Sequence, residues 1–121
     1  MLRPDRGIER VYLHRAPVDM RKQIDGLAIL AKDVIKEDPT SGSLFAFINA
    51  RRNKLKLLVW ERNGFIVWYK RLEQGCFKLP SLDAADGQGK EISVADLAML
   101  LEGIDLDTAK RQRRYRRPQT S

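Results

Sequence analysis

Three closely spaced runs of strand-forming residues constrain the fold more than any other feature of the chain. They are rich in β-branched and aromatic residues and read LFAFIN (44–49), KLKLLVW (54–60) and FIVWYKRL (65–72). Four residues separate each pair, ARRN in the first gap and ERNG in the second, and Asn63-Gly64 favours a tight turn. Because connections this short join antiparallel neighbours, the sequence predicts a three-stranded meander.

A long amphipathic pattern precedes the meander. Apolar residues recur at three- and four-residue spacing between Met20 and Ile35, and most charged residues fall elsewhere around the helical wheel. The spacing predicts a helix with one buried face. Asp19 is suited to be its N-cap, and Pro39 disfavours helical geometry just beyond its end. Upstream, IERVYLH (8–14) has the composition of a short strand.

Weaker patterns follow the meander. EQGCFKLP (73–80) is compatible with a short edge strand, and DAADGQGK (83–90) is typical of a polar loop. Ser93 is a favourable N-cap for a second, shorter helix, which Gly103 would end. Together these elements predict an α+β fold: an antiparallel sheet of three to five strands, one long amphipathic helix, a short C-terminal helix and a basic tail.

The positive charge is concentrated near the C-terminus. The chain of 121 residues has a net charge of +7, and six cations lie in KRQRRYRR (110–117), whereas the other 17 Lys and Arg nearly balance the 16 Asp and Glu. Beyond Asp107 the apolar residues are too few to order the segment. We therefore predict a single α+β domain over residues 1–107 and a flexible basic tail over residues 108–121.

The sequence carries no targeting feature. No apolar run approaches the ~20 residues that a membrane-spanning helix needs, and the N-terminus lacks the apolar core of a secretory signal. Cys76 is the only cysteine, so no intrachain disulfide can form. These features predict a cytoplasmic protein.

The sequence offers no convergent set of catalytic groups. His14 is the only histidine, which excludes a two-histidine metal site and favours a structural imidazole. Cys76 fits a small buried thiol better than a nucleophile. Asp19 and Asp25 are six residues apart and would point in different directions from a helix. The prediction is a protein without enzymatic activity, bound metal or cofactor.

Cations cluster between the first two strand-forming runs. Arg51, Arg52, Lys54 and Lys56 stand at or beside a predicted hairpin loop, with no acidic residue among them. Such a group can contact successive phosphates of DNA. It can equally be a charged turn that keeps strand edges from pairing with other chains. The residues alone leave both interpretations open.

Four aromatic residues lie in or beside the neighbouring strands, namely Trp60, Phe65, Trp68 and Tyr69. Exposed aromatic rings can stack on nucleic-acid bases. Aromatic residues in strands also form cores without any ligand, and this second interpretation is favoured here.

The tail is the strongest electrostatic feature. Its cations are Lys110, Arg111, Arg113, Arg114, Arg116 and Arg117. An unfolded arm of this charge suits phosphate backbones and gives affinity without sequence choice. The alternative is a terminus that only increases solubility. Residues 93–116 also resemble half of a helix-turn-helix, but the second segment lacks apolar residues to dock on the first.

The order of several longer motifs resembles a known protein family. The motifs are DMRKQIDGL (19–27), DPTSGSLFAFINARRNKLKLLVW (38–60), WYKRLEQGCFKLP (68–80) and a later LLEGID. They are similar, over about two thirds of the chain, to the accessory protein TnpB of the insertion sequence 66 (IS66) family. TnpB is the product of the second open reading frame of these bacterial mobile elements.

This resemblance implies a role in DNA transposition beside a separate, larger transposase that carries the catalytic acids. The family motifs also contain Arg21, Lys22, Lys70 and Arg71, which we add to the candidate DNA contacts. The expected function is a non-enzymatic accessory protein of transposition that binds DNA through the basic hairpin and the tail. The alternative is a protein–protein adaptor that docks on the transposase.

Overall fold

The computed structural model describes residues 10–79 and 89–102, which form an α+β arrangement of five strands and two helices. The elements are β1 (Val11–His14), α1 (Ile24–Leu30, continued by a π-helical turn Ala31–Ile35), β2 (Leu44–Ile48), β3 (Lys54–Glu61), β4 (Gly64–Arg71), β5 (Gly89–Ile92) and α2 (Val94–Glu102). The predicted meander is confirmed as β2, β3 and β4.

The five strands form one mixed sheet in the order β4-β3-β2-β1-β5. Strands β1 and β2 are parallel, and every other neighbouring pair is antiparallel. The expectation of a purely antiparallel sheet is therefore wrong. The reason is that α1 lies between β1 and β2 along the chain, and a crossover helix returns the chain to the end of the sheet where β1 began.

The edge strand beside β1 comes from a different segment than the sequence indicated. Residues 73–79 form no strand, and β5 instead uses Gly89 and Lys90, for which the sequence predicts a polar loop. Gly89 pairs with His14 and also lies against the π-helical turn, where an added Cβ would stand 2.8 Å from the Ile35 Cγ2 atom. A glycine is needed at this close approach because a larger residue would displace the helix.

The two helix starts differ in how well local sequence specifies them. Helix α1 begins at Ile24 with Gln23 at its N-cap, so the expected capping role of Asp19 is wrong. The Ser93 cap is confirmed: its Oγ accepts the Asp96 N–H at 3.0 Å, and the Asp96 carboxylate accepts the Ser93 N–H at 3.4 Å. This reciprocal pair satisfies two backbone donors at the start of α2.

Both faces of the sheet are covered. On one face the helical residues Leu27 and Ala31 pack against Phe45 and Phe47 of β2. On the other face α2 and the fully buried Phe77 cover the alternate residues of the same strands. Strands β1, β2 and β3 therefore contribute buried residues to two separate cores.

The predicted tail over residues 108–121 lies outside the described residues, as do the residues around Gly103. Among the helices that the structure describes, none has the length and apolar character to cross a bilayer.

Candidate functional site

The loop between β2 and β3 is held rigidly by its own side chains. We call residues 49–54, which are this loop and the first residue of β3, the basic loop. The Asn49 Oδ1 atom accepts hydrogen bonds from the backbone N–H groups of Asn53 and Lys54, each at 3.0 Å, and its Nδ2 donates to Asn53 Oδ1 at 2.8 Å. Arg52 adopts a left-handed backbone conformation at φ 60°. These bonds give the loop one conformation from which its cations project.

The segment that follows β4, residues 72–77, also supports the basic loop through backbone hydrogen bonds. The backbone N–H of Phe77 donates to the Arg52 carbonyl at 2.6 Å, and that of Leu72 donates to the Asn53 carbonyl at 2.8 Å. Phe77 is itself fully buried in the core beneath α2. The basic loop is therefore anchored to the interior, which lowers the entropy that its side chains lose when they bind a ligand.

The turn before α1 forms the opposite wall of a surface cleft. Val18 is buried and donates its backbone N–H to the Ile48 carbonyl at 2.9 Å, which places residues 17–21 beside the end of β2. Between this turn and the basic loop lies an open cleft of about 580 Å³. We call it the basic cleft, because its lining includes Arg21, Arg51 and Lys54.

Within this cleft the cations differ in how far they are neutralised. Arg21 forms an exposed ion pair with Asp19, at 2.7 Å between Nη2 and Oδ2. The side-chain and backbone hydrogen bonds from Arg21 lower the pKa of the Asp19 carboxyl to about 2. In the part of the chain that the structure describes, Arg51 and Lys54 make no ion pair. The unbalanced charge of the cleft therefore comes from the basic loop.

Lys56 has a structural task instead of lining the cleft. Its Nζ atom donates to the carbonyls of Met20 at 2.9 Å and Lys22 at 2.7 Å, and the residue is only 9% exposed. The ammonium group thus ties the turn before α1 to the sheet and fixes the wall of the cleft. We accordingly leave Lys56 out of the set of phosphate contacts that we propose below.

One aromatic ring, Tyr69, is exposed at the cleft. Its side chain is 50% exposed, and the Lys56 Nζ lies 5.4 Å from the centre of the ring. By contrast, Trp68 packs against the core beneath α2, and Trp60 meets Phe65 edge to face at the far end of β3. The sequence alone does not distinguish the four rings. Strand register separates Tyr69 from Trp68, because Tyr69 pairs with Lys56 on the α1 face of the sheet and Trp68 pairs with Leu57 on the other face. Phe65 and Trp60 share the α1 face with Tyr69 but pair at the opposite end of the strands, away from the cleft.

The remaining predicted cations are dispersed around the domain. Arg71 pairs across the strands with Lys54 and forms an ion pair with Glu73 at 2.9 Å. Lys70 points to the opposite face, where its Nζ donates to the Leu101 carbonyl near the end of α2 at 2.7 Å. Such a cation complements the negative end of the helix dipole.

Two further predicted cations, Arg52 and Lys22, do not line the basic cleft. Arg52 lines a smaller cavity of about 110 Å³ on the other side of the basic loop, together with the buried His14. The side chain of Lys22 is exposed. The six cations of residues 110–117 lie outside the described residues.

The structure also shows where other reactive groups lie. The Nδ1 atom of His14 hydrogen-bonds the Ala16 carbonyl at 2.9 Å, and Cys76 is a partly buried free thiol. Within residues 10–79 and 89–102, no three His, Cys, Asp or Glu side chains come together as a metal site would require.

The fold and the site define a small α+β domain that carries a rigid basic loop beside an open cleft. The chain belongs to the IS66 Orf2-like family, since residues 9–111 match the family described as "IS66 Orf2 like protein". This confirms the resemblance seen in the sequence and makes the chain an accessory protein of IS66-type transposition.

Two relatives come from Sinorhizobium fredii (strain NBRC 101917 / NGR234). Uncharacterized protein y4jC is 32% identical over 112 residues, which cover 93% of this chain and 92% of the relative. Uncharacterized protein y4hO is 36% identical over 96 residues, or 79% and 81% of the two chains. No solved structure matches the chain.

Proposed function

We propose that this transposition accessory protein binds DNA without catalysing a reaction, and that the basic cleft contacts the phosphate backbone. The observation that carries the proposal is the placement of Arg51 and Lys54 on a braced loop, facing Arg21 across an open cleft. Charged donors held in one conformation bind phosphate oxygens with a small entropy cost. The family's setting in DNA transposition favours DNA as the polyanion.

The tail would add attraction of a different kind. Its six cations dominate the net charge of the whole chain, while the remainder is close to neutral. The tail therefore supports affinity that depends on charge alone. The cleft supports a defined position of the domain on the backbone, because phosphate contacts from a rigid surface fix orientation.

The test is the salt dependence of binding to a short DNA duplex. The double variant Arg51→Gln/Lys54→Gln should weaken binding and reduce the slope of log K against log salt by about two. The matched control is Lys32→Gln/Arg62→Gln, which removes the same charge from exposed positions that do not line the cleft. Equal losses in both double variants would contradict a specific role of the cleft.

Removal of residues 110–121 separates the tail from the cleft. The shortened chain should bind duplex with a flatter salt slope, and the Arg51→Gln/Lys54→Gln change should weaken that binding further. If neither the full chain nor the shortened chain binds duplex at low salt, the DNA-binding proposal is wrong.

A second candidate function is an adaptor that docks on the element's transposase. The outward side of α2 favours it, because Val94, Ala95, Ala98 and Met99 form an exposed apolar stripe, with Val94 55% and Met99 63% exposed. Surface patches of this kind often mark protein interfaces.

The adaptor is tested by co-purification with the transposase after nuclease treatment. Met99→Glu should abolish the association, whereas Ile29→Glu, at an equally exposed apolar position on α1, should not. Association that survives both changes would mean that the interface lies elsewhere on the chain. Association that is lost on nuclease treatment would mean that DNA mediates the contact.

A further inference from the structure

We propose that the basic cleft accepts an unpaired nucleotide, with its base stacked on Tyr69 and its phosphate held by Arg51 and Lys54. The inference rests on the proposed DNA binding and goes further, because it names single-stranded or locally opened DNA as the ligand of the cleft. The juxtaposition that points to it is an exposed aromatic ring and two cations in one cleft, and among the described residues no carboxylate forms an ion pair with either cation.

Tyr69 is presented at the cleft by a strand that is paired along its length. It lies in β4 and pairs across the strands with Lys56, whose ammonium stands 5.4 Å from the ring centre. That ammonium is itself fixed by the carbonyls of Met20 and Lys22. With the cation over the ring on one side, the exposed part of the residue can receive a base, and the base gains an aromatic stacking surface.

The size of the cleft suits one nucleotide. Its volume of about 580 Å³ falls within the ~300–1,000 Å³ range of sites that enclose small organic ligands. A base inside a duplex has both faces covered by its neighbours, so a duplex can touch the rim cations but cannot use the tyrosine. An unpaired base exposes a face, so an unpaired nucleotide can contact the cations with its phosphate and the tyrosine ring with its base.

The polar groups near the ring favour binding without a strong choice of base. The side-chain amides of Asn49 and Asn53, which also line the cleft, already bond to each other and to the loop backbone. They are therefore engaged in shaping the loop, whereas base readout needs free donors and acceptors. Stacking on an aromatic face tolerates every base.

The experiment compares fluorescence anisotropy of the full chain with a labelled 12-nucleotide single strand and with the corresponding duplex at one salt concentration. Tyr69→Leu removes the ring and retains apolar bulk, and Tyr69→Phe retains the ring. Because stacking contributes ~1–3 kcal/mol per base, Tyr69→Leu should lower single-strand affinity by about 5- to 150-fold. Its duplex affinity should change less than about twofold, and Tyr69→Phe should bind both like the unchanged chain.

Ile66→Ala is the matched control, since Ile66 is another exposed residue of β4 but faces the opposite side of the sheet. It should leave single-strand binding unchanged. Thermal unfolding of each variant confirms that the domain is intact. The Arg51→Gln/Lys54→Gln variant should lose affinity for both forms of DNA.

The possible results separate the two proposals. If Tyr69→Leu leaves single-strand affinity unchanged, or lowers single-strand and duplex affinity equally, the nucleotide site is wrong. The proposed DNA binding would still stand in that case, provided that Arg51→Gln/Lys54→Gln weakens duplex binding. If the full chain binds neither form at low salt, both proposals fail together.

Discussion

Two loops at opposite ends of β3 carry arginine but have different surroundings. The basic loop is bordered by the turn before α1 and by residues 72–79, both joined to it or to β2 by backbone hydrogen bonds. The β3–β4 turn consists of Arg62 and Asn63, both exposed, between the paired residues Glu61 and Gly64. Charge alone does not distinguish the loops. The surrounding segments do, because they turn one loop into the wall of a cleft.

The two loops also differ in how deeply the aromatic residue next to each of them is buried. Phe77, next to the basic loop, is fully buried. Phe65, next to the β3–β4 turn, is partly buried and meets Trp60 edge to face with 5.0 Å between ring centres. The basic loop is therefore coupled to the global stability of the domain, whereas the other turn is a local feature of one hairpin.

The largest expected effect follows from that difference. Phe77→Ala should reduce the free energy of unfolding by about 3–5 kcal/mol, because it leaves a cavity in a closed core. Phe65→Ala should cost only about 1–2 kcal/mol, since it removes a partly exposed ring and one aromatic contact. Urea unfolding of the two variants measures the comparison. Equal costs would mean that the basic loop is no better anchored than the turn.

The second effect distinguishes two lysines on the same face of β3. Lys56→Met should cost about 1.5–3 kcal/mol of unfolding free energy, because two backbone carbonyls lose a charged donor. Lys54→Met should stay within about 0.5 kcal/mol, as expected for a surface position without such contacts. Urea unfolding again provides the measurement. A larger cost at Lys54 than at Lys56 would reverse the roles that the structure assigns.

These two lysines also show why the site could be predicted only in part. Lys54 and Lys56 have the same residue type, strand and face, so no local pattern separates them. What separates them is the turn before α1, which is distant in the sequence and whose carbonyls, among the described residues, accept hydrogen bonds from Lys56 and not from Lys54. Lys70 likewise bonds the Leu101 carbonyl of a helix 31 residues further along the chain.

The fold, too, has features that local sequence predicts and features that depend on distant segments. The meander was predictable because its turns and strand composition are local, and so was the Ser93 cap. The parallel pairing of β1 with β2 depends on the path of α1, and β5 depends on pairing with β1. The polar segment GKEI becomes a strand only because that edge is available, since its composition alone favours a loop.

A smaller effect is expected from removing one carboxylate beside each loop. Asp19→Asn keeps an oxygen that can accept the Arg21 N–H but removes the charge that neutralises Arg21. Duplex affinity should rise by about two- to fivefold, the range expected for one exposed ion pair. Glu61→Gln changes the net charge equally at the β3–β4 turn and should raise affinity less. Equal gains would show that net charge, not the cleft, governs binding.

The smallest effect concerns the pH dependence of stability. The folded pKa of Asp19 is about 2, below its ordinary value of 3.8, because Arg21 donates hydrogen bonds to the carboxylate. A lowered folded pKa means that this contact stabilises the fold fully above about pH 4 and is lost as the pH falls toward 2. Asp19→Asn should therefore weaken the decrease in unfolding midpoint between pH 5 and pH 2.5.

Arg21→Gln is the matching test of the cause. It leaves Asp19 in place and removes the side-chain donors, which are the largest cause of the lowered pKa, but it keeps the backbone N–H of residue 21, so it should weaken the acid-dependent decrease by less than Asp19→Asn does. Combining the two changes should add nothing to the effect of Asp19→Asn, because the carboxylate is then already absent. An undiminished decrease in Arg21→Gln would show that the carboxylate is held without the Arg21 side chain. Arg21 would then be freer to meet phosphate than its ion pair indicates, and the two walls of the cleft would contribute more equally to binding.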